Sequence, residues 1–101
     1  MQVVEVISPG QLTTIVSARD WSRAEHGVTP GGPFDEVAAA VANRACGNAD
    51  DAPLLECVLV GPRLRFASTT RVAIFDGSLR VADVIELDVG RLQSFRAWIA
   101  I

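Results

Sequence analysis

Nine consecutive residues, Gly27-Val28-Thr29-Pro30-Gly31-Gly32-Pro33-Phe34-Asp35, restrict this chain more than any other stretch. Six of them are Gly, Pro or Thr. Glycine reaches positive φ without steric cost and proline holds φ near −65°, so the run builds a shaped loop and neither a helix nor a strand. The loop delivers Asp35 to Glu36-Val37-Ala38-Ala39-Ala40-Val41-Ala42-Asn43-Arg44-Ala45-Cys46-Gly47, which reads as a helix. Asp35 can cap its N-terminus, Glu36 places negative charge in the first turn, and Gly47 supplies the left-handed residue after the last turn. Ala38, Val41, Ala42 and Ala45 recur at helical spacing, and a stripe so rich in alanine lets the helix approach a sheet closely. A loop feeding a helix start can present N–H groups to an anion, or it can be an ordinary capped terminus.

The rest of the chain alternates strand-like runs with turns. Gln2 to Ile7 and Leu12 to Val16 are β-like and are separated by Ser8-Pro9-Gly10. Ser17 to Glu25 reads as an exposed loop in which Trp21 is a lid over the core or, alternatively, an interface anchor. After the helix, Leu54 to Val60 is an apolar run of the kind buried on both faces. Gly61-Pro62 turns the chain. Arg63-Leu64-Arg65-Phe66 then alternates charge and apolar bulk, Ser68-Thr69-Thr70 reads as a loop, and Arg71 to Phe75 as a further strand. Asp76-Gly77 is a hairpin-type turn. Leu79 to Val81, Val84 to Leu87 and Phe95 to Ile101 complete the strands, with a bend at Gly90. The last run is still apolar at Ile101, as expected of a cut or of an edge that meets a partner. Seven or eight short strands and one helix predict a single domain over residues 1–101, a mainly-β barrel or sandwich with the helix packed on it.

Within 101 residues, 50% are hydrophobic and 21% charged, which suggests a surface that something else covers. Nine basic and twelve acidic residues leave a net charge of −3, so there is no electrostatic basis for binding nucleic acid or an acidic membrane. Cys46 and Cys57 have neither zinc-site spacing nor the number needed for a disulfide scaffold, and no metal is expected. No run approaches the ~20 apolar residues of a membrane span, so the expectation is a reduced, cytoplasmic protein.

Two ionisable residues stand out on chemistry. His26, the single histidine, adjoins the Gly/Pro loop. Glu56 interrupts an apolar strand on the side of Leu54, Val58 and Val60, where a carboxylate must be paired, hydrogen-bonded or at the edge of a site. Spacing names no reaction. G-x-S-x-G, P-loop and H-E-x-x-H patterns are all absent from the sequence.

An ordered series of motifs does carry a resemblance. Pro9-Gly10-Gln11-Leu12-Thr13-Thr14, the Gly27 to Asp35 loop, Ala42-Asn43 with Gly47-Asn48, Leu55-Glu56, and Gly61-Pro62-Arg63-Leu64-Arg65-Phe66 occur in sequence over residues 9–66. Together they resemble the N-terminal part of the biotin-dependent carboxyltransferase (allophanate hydrolase subunit 2) family, which includes one of the subunits of bacterial 5-oxoprolinase and the carboxyltransferase region of urea carboxylase. Beyond residue 71 the likeness is a strand-turn-strand pattern. The family's usual Ser-Gly-Ala-Met-Asp stands here as Gly31-Gly32-Pro33-Phe34-Asp35, and the glycines of its usual Gln-Asp-x-Gly-Arg segment are missing from Ile15 to Arg23.

The resemblance implies a cyclophilin-like β-barrel or partial barrel and a truncated or reduced member of a larger assembly. Its chemistry would be ATP-dependent hydrolysis of 5-oxoproline or carboxyl transfer on small amides. ATP or biotin would act only through partner subunits. By position in the motifs, Asp35, Glu56 and His26 are candidate catalytic residues, and Gly27, Gly31, Gly32 and Asn43 candidate substrate-binding residues. The alternative is a non-catalytic binding or interaction module acting as a homo-oligomer.

Overall fold

The computed structural model describes residues 4–17, 26 and 31–101. Their elements are β1 (Val4–Ser8), β2 (Thr14–Val16), α1 (Glu36–Cys46), β3 (Leu54–Val60), β4 (Arg63–Phe75), β5 (Leu79–Asp88) and β6 (Arg91–Ala100), the last beginning four residues before the predicted Phe95. The strands form one six-stranded sheet in the order β1-β4-β6-β3-β2, with β5 on the remaining edge of β4. Every pairing among them is antiparallel. The sheet curls into a half-barrel, which resolves barrel against sandwich in favour of a partial barrel. The loop expected over Ser17 to Glu25, with Trp21, lies outside the described residues apart from Ser17.

β4 corrects one expectation. Arg63–Phe66, the Ser68-Thr69-Thr70 loop and Arg71–Phe75 are a single strand of 13 residues, and the run from Leu79 to Leu87 is likewise unbroken. The reason is pairing. β5 holds β4 at both ends, Arg63 to Arg65 against Asp88 to Glu86 and Thr70 to Phe75 against Val84 to Leu79, with an irregularity between. Pairing on either side of the irregularity therefore keeps extended an exposed polar segment that local propensity marks as a turn. The other edge of β4 is shared end to end, β1 facing Arg63 to Phe66 and β6 facing Ala73 to Phe75.

Alternation along these strands makes two apolar faces. Cys57, Leu64, Phe66, Val72, Ile74, Leu87, Val89, Ala97 and Ile99 form one buried core cluster. Leu54, Ala73, Trp98 and Ala100 face the other way and receive Ala38, Ala39 and Ala42 of α1. Small side chains on both surfaces allow the close approach that the alanine stripe predicts. The stripe is rotated from its predicted position: Ala39 is buried, whereas Val41 and Ala45 are half-buried and Val37 is 74% exposed. Arg63 and Arg65 are exposed on the face opposite Leu64 and Phe66, as the alternation requires. Arg63 Nε donates to Glu86 Oε1 at 2.7 Å, and Arg65 Nη2 donates to Glu86 Oε2 at 3.4 Å.

Both cysteines are free, and burial is the main reason both thiols titrate above their usual range, Cys57 being pushed up to about 11. The thiolate is the reacting species, so neither is a fast nucleophile in the folded chain. With a disulfide reagent at pH 8 in native buffer, half-buried Cys46 is expected to react first and slowly. Cys57 is expected to react only after denaturant is added; labelling of Cys57 at the rate of Cys46 would contradict this placement.

Candidate functional site

The loop that ends at Asp35 is pinned to the sheet by Glu56. Glu56 sits in the middle of β3, paired in register with Thr14 of β2 on one side and Trp98 of β6 on the other. Its side chain points to the helix face and is almost wholly buried. One oxygen, Oε2, accepts the backbone N–H of Phe34 at 2.7 Å and the indole Nε1–H of Trp98 at 2.8 Å. The other, Oε1, lies 3.7 Å from Nη1 of Arg96. A buried carboxylate is tolerated because two donors and one cation compensate for its lost hydration.

One residue further on, Asp35 adopts extended backbone and its Oδ1 accepts from the N–H groups of Val37 and Ala38 at 3.0 and 3.1 Å. That is the predicted N-cap. At the other end of α1, Gly47 has φ 88° and its N–H bonds to Arg44, closing the helix as expected. Asp35→Ala is predicted to cost about 1 kcal/mol of stability. Guanidinium unfolding is the measurement, and a loss under about 0.3 kcal/mol would mean that the cap is not used.

Arg96 and Trp98 complete this corner, and sequence reasoning passed over both as parts of an apolar strand. The Arg96 guanidinium carbon stands 4.2 Å from the centre of the Phe34 ring and 5.6 Å from that of Phe95. Its side chain is 27% exposed, and its buried Nε has no hydrogen-bond partner among the described residues. Beside it opens a cleft of about 280 Å³ lined by Phe34, Asp35, Ser94, Phe95, Arg96 and Trp98. The available signal was the lone arginine two positions before a tryptophan on the same strand face, the natural partner for a buried glutamate elsewhere.

The predicted site residues divide between two places. Asp35 and Glu56 meet through Phe34, and Gly31 and Gly32 take positive φ of 63° and 96° in the loop leading to them. Asn43 belongs elsewhere, two turns along α1, where its Nδ2–H groups donate to the carbonyls of Asp50 and Ala52 at 3.3 and 2.8 Å. His26 is exposed, and Gly27 lies outside the described residues. Among the described residues no cluster of three His, Cys, Asp or Glu side chains is placed to hold a metal ion. Among them, too, no helix is long and apolar enough to cross a membrane.

The corner therefore offers a guanidinium stacked on an aromatic ring, held by a buried glutamate, at the mouth of a mostly apolar cleft. That combination suits a small flat ligand carrying a carboxylate.

Comparison with known proteins places this geometry in context. Residues 26–95 match the carboxyltransferase domain family, subdomain A and B. The urea amidolyase of Lachancea kluyveri is 40% identical over 77 residues, which is 72% of this chain and 4% of that protein. The urea amidolyase of Saccharomyces cerevisiae (strain ATCC 204508 / S288c) is 35% identical over 79 residues, 74% of this chain and again 4% of the relative. The chain thus spans a small fraction of the curated relatives it matches. Among solved structures, the K. lactis urea amidolyase superposes with a TM-score of 0.85 at 30% identity, covering 97% of this chain and 7% of that one. TTHA0988 superposes with a TM-score of 0.84 at 23% identity over 99% of this chain and 24% of that one, a likeness of fold.

Proposed function

The chain belongs to the carboxyltransferase domain family, and from that premise we propose that it forms one wall of a site that transfers a carboxyl group to the nitrogen of a small amide of the urea type. The observation that carries the reading is Arg96, stacked on Phe34 and held through Glu56 at the edge of the cleft. In such a transfer a bond forms between the amide nitrogen and the carboxyl carbon as the donor's bond to that carbon breaks. The displaced amide proton passes to the donor. A guanidinium beside the migrating carboxylate stabilises its charge, most effectively where aromatic walls exclude water. Glu56 is a positioning residue here: both groups that it accepts from, Phe34 and Trp98, are walls of the cleft.

ATP and biotin belong in this reading to partner subunits, and the assembly works in the cytoplasm. Urea is favoured over 5-oxoproline because the curated relatives are urea amidolyases. With such partner subunits supplied, the chain is expected to support ATP-dependent carboxylation of urea and to leave 5-oxoproline unconsumed. Arg96→Gln should lower kcat/KM about 100-fold. Turnover of 5-oxoproline, or carboxylation unaffected by Arg96→Gln, would overturn the assignment.

A second reading draws on Leu12, Ile15, Phe34 and Val37, which are large, apolar and exposed. They fit a non-catalytic module whose surface is covered by another copy. Light scattering separates the two: a stable homo-oligomer that gives no turnover with partner subunits supports the module, and a monomer counts against it.

A further inference from the structure

The Arg96 cleft has three polar side chains among its walls, Asp35, Ser94 and Arg96. Their hydrogen-bonding groups can be accounted for in turn. The Ser94 hydroxyl donates to the Arg96 carbonyl at 2.8 Å, and the indole N–H of Trp98 is spent on Glu56. Arg96 Nη1 stands 3.7 Å from Glu56 Oε1, beyond hydrogen-bond distance, so the ion pair leaves its N–H groups unspent. Asp35 Oδ1 holds the start of α1, whereas its Oδ2 has no hydrogen-bond partner among the described residues. Asp35 is exposed and Arg96 partly so, which leaves both open to a ligand in the cleft they line.

These two groups set what a ligand must carry. A guanidinium with unspent N–H groups is matched by a carboxylate, and a free carboxylate oxygen is matched by an N–H. A plain carboxylate would meet Asp35 as a second negative charge. A neutral amide would leave the guanidinium without a charged acceptor. A molecule with a carboxylate at one end and an amide N–H at the other satisfies both.

We propose that Asp35 determines specificity in this cleft, its Oδ2 accepting an N–H of a small amide whose carboxylate lies against Arg96. The ligand class is an amide that carries a carboxylate and keeps at least one N–H; an amide without N–H is rejected. This inference rests on the reading of Arg96 as the cation beside the carboxylate, and adds that the amide is held through the nitrogen that does not react.

The test titrates the ¹⁵N-labelled 101-residue chain with sodium malonamate, in which a methylene replaces the bridging N–H of an N-carboxylated urea. Sodium N,N-dimethylmalonamate, which lacks the N–H, is the parallel probe. The expected result is a saturable shift of the Phe34, Asp35, Phe95 and Arg96 backbone amides, with the dimethyl analogue binding about tenfold more weakly, the scale of one charge-assisted hydrogen bond. Amides beside Asn43, which lines a separate cleft along α1, should not move. Asp35→Asn is the decisive variant: asparagine caps a helix as well as aspartate does, while its NH₂ takes the place of Oδ2. Its urea midpoint should match the parent's, and the two probes should bind it alike. A preference that came from bulk alone would persist in Asp35→Asn, and that persistence would overturn the proposal. So would equal binding of both probes to the parent. Arg96→Gln tests the underlying reading separately and should weaken both probes about tenfold. Binding of both that is unaffected by Arg96→Gln would overturn that reading, and no malonamate binding at all would overturn both.

Discussion

Gly10→Ala is expected to lower the thermal midpoint by roughly 12–20 °C, from a loss of about 3 kcal/mol in a domain of this size. Gly10 has φ +67°, and a Cβ there would stand 2.6 Å from Gly61 C, 2.7 Å from Val60 O and 2.8 Å from Gly61 O. A left-handed alanine costs about 1 kcal/mol, and pushing apart packed backbone adds about 2 kcal/mol. The displacement also strains the bonds beside it, Gln11 N–H to Val60 O at 2.8 Å and Val58 N–H to Gln11 O at 3.0 Å.

Gly61→Ala provides the contrast. Its Cβ would lie 2.2 Å from Cγ1 and 2.5 Å from Cβ of Val89, side-chain atoms that Val89→Gly removes. Calorimetry on Gly61→Ala, Val89→Gly and the double variant should show the pair coupled, with the double variant more stable than the two single losses predict. The same Val89→Gly change should leave Gly10→Ala unrescued, because its obstacle is backbone. Equal rescue of both, or a Gly10→Ala midpoint within about 3 °C of the parent, would show that the two turns do not pack as described.

Glu56→Leu carries the second large effect. The substitution matches the apolar strand and preserves volume, yet it leaves the Phe34 N–H, the Trp98 Nε1–H and the Arg96 guanidinium without their shared acceptor. Each buried donor stranded in this way costs about 1–3 kcal/mol, and Arg96, being partly exposed, recovers water and adds little. The expected loss is about 3 kcal/mol in urea unfolding. Glu56→Gln keeps one acceptor oxygen and should cost about 1 kcal/mol. A Leu variant within about 1 kcal/mol of the parent would mean that Glu56 does not hold the loop. A Gln variant that folds fully but transfers no carboxyl group would separate positioning from stability.

The two predictions explain why the sequence was informative where it was. Asp35, Gly47 and the α1 boundaries are set by groups within a few residues of one another, so the cap and the left-handed residue could be read locally. Glu56 was visible as a carboxylate needing partners, because alternation alone placed it on a buried face. Which partners it has was not visible, since Phe34 and Trp98 are 22 and 42 positions away. The Pro9-Gly10 and Gly61-Pro62 motifs, read as separate turns, are one contact between backbones. Asp76 shows the same limit. It reads as a hairpin residue, but it is fully buried, and its Oδ2 accepts from Arg80 Nη2 at 3.1 Å and from the Gln93 N–H at 3.3 Å.

By itself, then, the sequence determined a mainly-β chain with one capped helix, the alternation that puts Leu64 and Phe66 inside, and a carboxylate that had to be satisfied. These follow from periodicity and backbone chemistry, which act over a few residues. Only the tertiary structure decided that β4 is continuous, that the alanine stripe is turned toward Ala39, that Arg96 sits on Phe34, and that Asn43 belongs to a different cleft from Asp35. Those outcomes depend on which strand edges meet across the curled sheet. Pairing between distant segments is governed by the summed ladder and packing energy of the whole sheet, which no local stretch encodes.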